Sequence, residues 1–249
     1  MIISSFLEKH SDTKSLYEEF ISNEPFPNIG IDNFLSDDLV VSMKNEITNS
    51  YRKYNHLLKN FTRNGSHMIE LCEAGDICPI AHQLIGDLHS KYFVDWLEKV
   101  TGIDGLIPDP WLIGASYMRC YRGDSLQIHS DFNWNEKLKL HRKLTLVIYL
   151  NPEWEKSWNG DIQLWDKNRE NCVKQYYPMN GNLVLWEYSK YAFHGHPNPL
   201  NCPEHITRDG IRLFYYVSDA EHKSDDTPHR SLYWFDEKTK EPFDKRETL

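Results

Sequence analysis

Ser125-Leu-Gln-Ile-His-Ser-Asp-Phe-Asn133 decides the fold. Successive side chains of an extended strand point to opposite faces, so His129 and Asp131 project from one face and can hold the same ion. Leu126 and Ile128 then fall on the other face, as expected where a strand meets the apolar filling of a sheet sandwich. Ser125 and Gln127 share the parity of His129 and Asp131 and are candidates for contact with metal-bound groups or substrate. A third ligand is expected from Tyr191-Ala-Phe-His194-Gly-His196-Pro197, which follows the apolar run 182–186. His194 and His196 have the same parity, so either can be the distal histidine. Two imidazoles and one carboxylate on one face of an octahedral ion leave positions open. Non-haem Fe(II) needs such positions if it is also to bind a cosubstrate and oxygen.

The surrounding sequence suits a site built on strands. From Trp111 to Val217 short apolar or alternating segments are separated by turn residues at Arg122-Gly-Asp, Asn151-Pro, Asn159-Gly-Asp and Asn180-Gly. This spacing predicts a jelly roll. Residues 143–150 are apolar on both faces and read as a central strand, while 154–159 read as a loop at one end of the barrel.

The ordered set Tyr121-Arg-Gly, His129-Ser-Asp131-Phe-Asn, Tyr149-Leu-Asn-Pro-Glu-Trp154, Asn159-Gly-Asp, His194-Gly-His-Pro and Arg208 resembles the 2-oxoglutarate and Fe(II)-dependent dioxygenases of the prolyl 4-hydroxylase-like branch. The resemblance runs from Pro25 to Ser218, with Pro25 to Leu35 similar to the family's entry strand. It implies a double-stranded β-helix core with flanking helices, Fe(II), 2-oxoglutarate and O2 as reaction partners, and ascorbate as a reductant. It also implies His129, Asp131 and His194 as ligands, with His196 behind them or in the pocket wall. Arg208 takes the place of the arginine that grips the distal carboxylate of 2-oxoglutarate, and Tyr121 and Tyr149 match tyrosines that reach the cosubstrate. Arg212, four residues further on, points to the same side of the strand and can touch cosubstrate or an anionic substrate. Asn133, Trp134 and Arg142 are expected at the mouth as substrate contacts. Relatives with Gly or Ala in place of the carboxylate can halogenate; this chain keeps Asp131, so hydroxylation is implied. Two departures stand out: Gly210 where the family often has the serine of Arg-x-Ser, and Asn159 where it often has the first glycine of Gly-Gly.

Upstream, helical spacing appears at Leu16, Tyr17, Phe20 and Ile21, and again at Leu39, Val40, Met43 and Ile47 behind the N-cap Ser36. Residues 29–34 read as a strand. Residues 50–78 are polar and irregular, with Asn64-Gly65 as a turn, and read as a loop or active-site flap. Pro79 opens what reads as the longest helix, running to Val100 and ended by Gly102, on the outer face of the main sheet. The expected organisation is one domain: a helical N-terminal region over residues 1–105, a jelly roll over 106–219 and a charged extension over 220–249 whose apolar patch, Ser231 to Phe235, packs on the barrel.

A 249-residue chain with 40% hydrophobic residues fits one large sandwich or barrel. The formal net charge of -9 argues against nucleic acid as partner, which calls for a basic patch. Five cysteines without a CxxC pair indicate neither a disulfide framework nor a zinc module. No apolar run reaches the roughly 18 residues of a membrane span and the N-terminus has no basic, apolar leader, so the expectation is a cytoplasmic protein acting on a small molecule or peptide. Oligomeric state is not written in the sequence. A catalytically silent interaction domain is an alternative reading, as is a cupin-like metal or sugar-binding module, which would share the triad but has no need of Arg208 beyond the distal histidine.

Overall fold

The computed structural model describes residues 1–53, 59–63, 66–71, 78–113, 116–218 and 228–233. The N-terminal region comprises α1 (Ser4–Lys9), α2 (Thr13–Ser22), β1 (Asn28–Ile31), α3 (Asp37–Lys53), β2 (Lys59–Arg63), β3 (Ser66–Leu71), α4 (Pro79–Leu88) and α5 (Lys91–Thr101). The strand-rich region follows with β4 (Ile107–Pro108), β5 (Ser116–Cys120), β6 (Leu126–Ser130), β7 (Trp134–Asn135), β8 (Leu140–Tyr149), β9 (Ile162–Trp165), β10 (Cys172–Tyr176), β11 (Leu183–Glu187), β12 (Phe193–His196), β13 (Arg208–Val217) and β14 (Leu232–Tyr233).

The strands form two antiparallel sheets. The larger runs β1-β11-β8-β13-β5-β3-β2, with β4 and β7 added beside β13 and β8; the smaller runs β10-β9-β12-β6-β14. This is the expected jelly roll with helices on one side. In β8 the alternation is plain: Leu144, Leu146 and Ile148 face the helices, while Val147 and Tyr149 face the second sheet. β11 divides likewise into Leu183 and Leu185 outward, Val184 and Trp186 inward. Both faces of the large sheet are thus covered, which is why residues 143–150 read as a continuous apolar run.

Three expectations change. The helix predicted from Pro79 to Val100 is two helices, because Ser90 adopts an extended backbone (φ -70, ψ 153) and its side chain accepts from the Phe93 N–H. Its hydroxyl also donates to Asp87 O at 2.6 Å, so one residue ends α4 and caps α5. The longest described helix is instead α3, which runs past Ile47 to Lys53. The predicted strand 29–34 is shifted and shorter, pairing from Asn28↔Trp186 to Ile31↔Leu183. Finally, residues 50–78 are not all loop: β2 and β3 form a hairpin that joins the large sheet through Ile69↔Arg119 and Leu71↔Tyr117. Met68 of this hairpin is buried among the side chains between the sheets. Tyr54, His56, and the side chains of Phe61, Arg63 and His67, which fall in the stretch that reads as a loop or flap, lie outside what is described, as does the Asn64-Gly65 turn. Of the patch Ser231 to Phe235, Leu232 and Tyr233 pair with β6 and Tyr233 is buried, while Trp234 and Phe235 lie outside what is described. Among the described residues no helix is long and apolar enough to cross a membrane.

Candidate metal centre and cosubstrate pocket

β6 and β12 pair so that His129 lies directly opposite His194. Asp131, one residue beyond the end of β6, turns its carboxylate to both: His129 Nε2 is 3.5 Å from Oδ1 and His194 Nε2 is 3.4 Å from Oδ2. One ligand atom from each of these buried residues lies within 4.8 Å of the other two, and this is the one such group among the described residues. The ring orientations follow from the backbone. His129 Nδ1 is 2.8 Å from Gln127 O, and His194 Nδ1 is 2.8 Å from Ala192 O. A carbonyl only accepts, so each Nδ1 carries the proton and each Nε2 presents a lone pair to Asp131. Two bare nitrogens and a carboxylate repel one another unless a cation stands between them, so the donor set fits a divalent metal.

Arg142 fixes the carboxylate. Its Nη2 donates to Asp131 Oδ2 at 2.7 Å and to Thr145 Oγ1 at 3.0 Å, and its guanidinium lies 3.3 Å from the centre of the Phe214 ring. Burial alone would raise the Asp131 carboxyl, but the Arg142 guanidinium holds it well below the usual carboxylate range. Burial, and then His194, push His129 down, which keeps its imidazole neutral and free to ligate.

The cavity between the sheets continues from the triad to Tyr149 and Arg208. Arg208, 4% exposed, donates from Nε to Gly160 O at 2.8 Å and from Nη2 to Tyr149 Oη at 3.3 Å. Gly160 has φ +79, and a Cβ there would come within 3.1 Å of Arg208 Cδ, so the glycine makes room for the arginine it holds. Asn159, in place of a glycine, takes a left-handed φ of 62 and is secured by Nδ2 donating to Pro199 O at 2.8 Å. A buried guanidinium and a phenol in a cavity that also holds three atoms able to ligate a metal suit a dicarboxylate that spans the two.

Residues 115–217 match the 2OG-Fe(II) oxygenase superfamily. Over that stretch the barrel is similar to the 2-oxoglutarate/Fe(II) oxygenases. The chain is 28% identical over 203 residues to mouse "Prolyl 3-hydroxylase OGFOD1", covering 78% of this chain and 33% of that protein. It thus spans about a third of the length of the curated relatives it matches. The fold is shared with a prolyl hydroxylase from Trichoplax adhaerens solved with a hypoxia inducible factor peptide (TM-score 0.62, 18% identity, 90% of this chain and 97% of that one). A Pseudomonas putida prolyl-4-hydroxylase is similar in fold too (TM-score 0.60, 12% identity, 82% and 98%).

Several side chains of the barrel do not stand where strict alternation puts them. His194↔His129 is followed by His196↔Leu126, so β6 carries an extra residue there. The bulge turns Leu126 to the cavity beside His129, and Gln127 is not among the lining side chains; its carbonyl, not its amide, serves the site. Gly195 permits this, since a Cβ there would lie 2.6 Å from Leu126 O. Ser125 is buried but is likewise absent from the cavity wall. Tyr121 lies beyond the end of β5, 37% exposed, its N–H given to Asp124 Oδ2 at 2.6 Å; Met118 and Cys120 line the cavity instead. Asn133 is buried and accepts the His229 N–H at 2.7 Å, and the Trp134 indole donates to Glu136 Oε2 at 2.8 Å, so neither lines the cavity. Arg142, expected at the mouth, is wholly buried behind Asp131. Arg212 lines the cavity with Arg208, as parity predicts, and is only partly buried. Tyr233, which sequence reasoning did not connect to the site, stacks on His129 with ring centres 4.7 Å apart at 13°.

Proposed function

We propose that the chain hydroxylates an unactivated C–H bond, converting 2-oxoglutarate, O2 and substrate R–H to succinate, CO2 and R–OH. His129, Asp131 and His194 hold Fe(II), and Arg208 with Tyr149 holds the distal carboxylate of 2-oxoglutarate. The observation that carries this reading is the convergence of three lone-pair atoms within 4.8 Å in a cavity that also contains the buried Arg208–Tyr149 pair. Fe(II) and 2-oxoglutarate, when bound, supply the oxidative decarboxylation that drives oxygen insertion. The chain's own contribution is geometric and electrostatic. Arg142 keeps Asp131 ionised and aimed, the two backbone carbonyls fix the histidine tautomers, and the apolar walls Met118, Leu126, Val147 and Trp186 exclude water around the reacting carbon. Arg208 sets the length of diacid that reaches the metal residues. The substrate class we favour is a proline residue in a peptide or protein, supported by the 28% identical relative named as a prolyl 3-hydroxylase. We assign the enzyme to the cytoplasm, where the free thiols of Cys78, Cys120, Cys172 and Cys202 stay reduced.

The test is succinate formation with Fe(II), ascorbate and 2-oxoglutarate, with and without proline-containing peptides, followed by mass analysis for one added oxygen. Wild-type protein should turn over, and Asp131→Ala and His194→Ala should give nothing above the metal-free blank. Turnover by His194→Ala together with its loss in His196→Ala would move the distal ligand; an iron-loaded wild type that makes no succinate would sink the proposal.

A further inference from the structure

One cavity side chain has no task in this mechanism. His196 is 2% exposed, lines the cavity with Tyr149 and Arg208, and its Nδ1 has no hydrogen-bond partner. A buried polar atom left unpaired loses its hydration with nothing in return, so native proteins rarely leave one unless something else pairs it. The neighbouring groups narrow what that partner can be. As a neutral imidazole His196 offers one N–H donor and one acceptor. Arg208 beside it is a cation, which favours an anion at the same place. The spacing agrees: two residues along β12 from His194 is roughly 7 Å, a step that a five-carbon diacid bound at both ends can bridge.

We propose that His196 is a third contact to the distal carboxylate of 2-oxoglutarate, donating a ring N–H to a carboxylate oxygen shared with Arg208 and Tyr149. The inference rests on the oxygenase reading of the same site. In this arrangement Arg208 supplies the charge and Tyr149 and His196 fix the direction of the carboxylate plane, so the pocket discriminates a diacid from a 2-oxo monoacid of equal chain length by more than one group. Gly195 belongs to the arrangement, because its lack of a side chain lets β12 lie against the bulged β6 backbone while His194 and His196 line one cavity.

Binding rather than turnover gives the test. The full chain is loaded with Mn(II), which does not turn over, and titrated calorimetrically with 2-oxoglutarate and with 2-oxopentanoate, which lacks the distal carboxylate. His196→Leu should weaken 2-oxoglutarate about tenfold or more and leave 2-oxopentanoate unchanged. His196→Asn, whose amide nitrogen takes the place of Nδ1, should recover most of the loss. Mn(II) affinity, followed by electron paramagnetic resonance, should be the same in all three proteins. Equal weakening of both ligands, no weakening of either, or loss of Mn(II) binding in His196→Leu overturns the inference and returns His196 to a wall or ligand-supporting role. Failure of the Mn(II)-loaded wild type to bind 2-oxoglutarate at all overturns the oxygenase reading and this inference with it.

Discussion

Among the described residues the barrel contains two buried arginine–aspartate pairs on opposite faces of the large sheet, and they are built differently. On the helix side, Asp209 receives Arg119 Nε at 2.6 Å, Lys44 Nζ at 3.0 Å and the Thr207 hydroxyl at 2.5 Å, and Arg119 passes a further bond to Thr48 Oγ1 at 2.8 Å. Both carboxylate oxygens meet donors. On the cavity side, Asp131 receives Arg142 on Oδ2, while Oδ1 faces the lone pair of His129. The first pair is electrostatically closed and fastens α3 to β5 and β13. The second is open on one side, and that open side is the chemistry. A buried carboxylate surrounded by donors is evidence of architecture; one aimed at acceptor nitrogens is evidence of a missing positive charge.

This contrast can be broken at either pair. The largest stability effect should come from Asp209→Ala, which leaves Arg119 and Lys44 facing each other without their anion and should cost about 3–5 kcal/mol in urea unfolding at neutral pH. Burial alone would raise Asp209, but Arg119 and Lys44 lower it below its ordinary 3.8. A depressed folded-state value means that its stabilisation is present above that ordinary value and is lost as pH falls through the folded one. The wild type and the variant should therefore converge in strongly acid solution; a gap that is constant with pH would show that packing, not charge, is lost.

Next in size is the grip on the cosubstrate. Arg208→Ala should weaken 2-oxoglutarate by roughly 2–5 kcal/mol in the Mn(II)-loaded protein, with Arg212→Ala a smaller effect and metal affinity kept in both. The reverse order would transfer the carboxylate to Arg212. The smallest effect sharpens the comparison most. Arg142→Met removes the donor but keeps the bulk on Phe214, and should cost about 10–100-fold in metal affinity, while unfolding stability changes much less than in Asp209→Ala. If Arg142→Met instead unfolds the protein as readily as Asp209→Ala, the two pairs are not different in kind.

Much of this was legible in the sequence, for reasons that differ by residue. A period of two brings His129 and Asp131 together in any strand, and the apolar run through Leu144 and Ile148 can only belong to a strand covered on both faces. What escaped was where the period breaks. Leu126 enters the cavity in place of Gln127 because of the bulge in β6, and Gly195 was the available sign, since a lone glycine in a strand often marks a close backbone approach. Arg142 faces Asp131 because β8 slips as well: Leu144 pairs with Tyr215 but Arg142 with Tyr216, leaving Lys143 as the extra residue. Nothing at Lys143 announces this. Tyr121 was misplaced because the end of β5 is set by the turn to Asp124, a tertiary choice, and the break at Ser90 depended on one hydroxyl pairing twice.

β14 has a consequence for the order in which the site is made. Leu232 pairs with Ser130 and Tyr233 with His129, so β6 has neighbours on both sides only once residue 233 has left the ribosome. Until then β6 is the rim of its sheet, with its amides exposed and the His129 ring uncovered on the face that Tyr233 later stacks against. During synthesis, a nascent chain that has completed every other described strand of the barrel still carries an unfinished candidate metal centre.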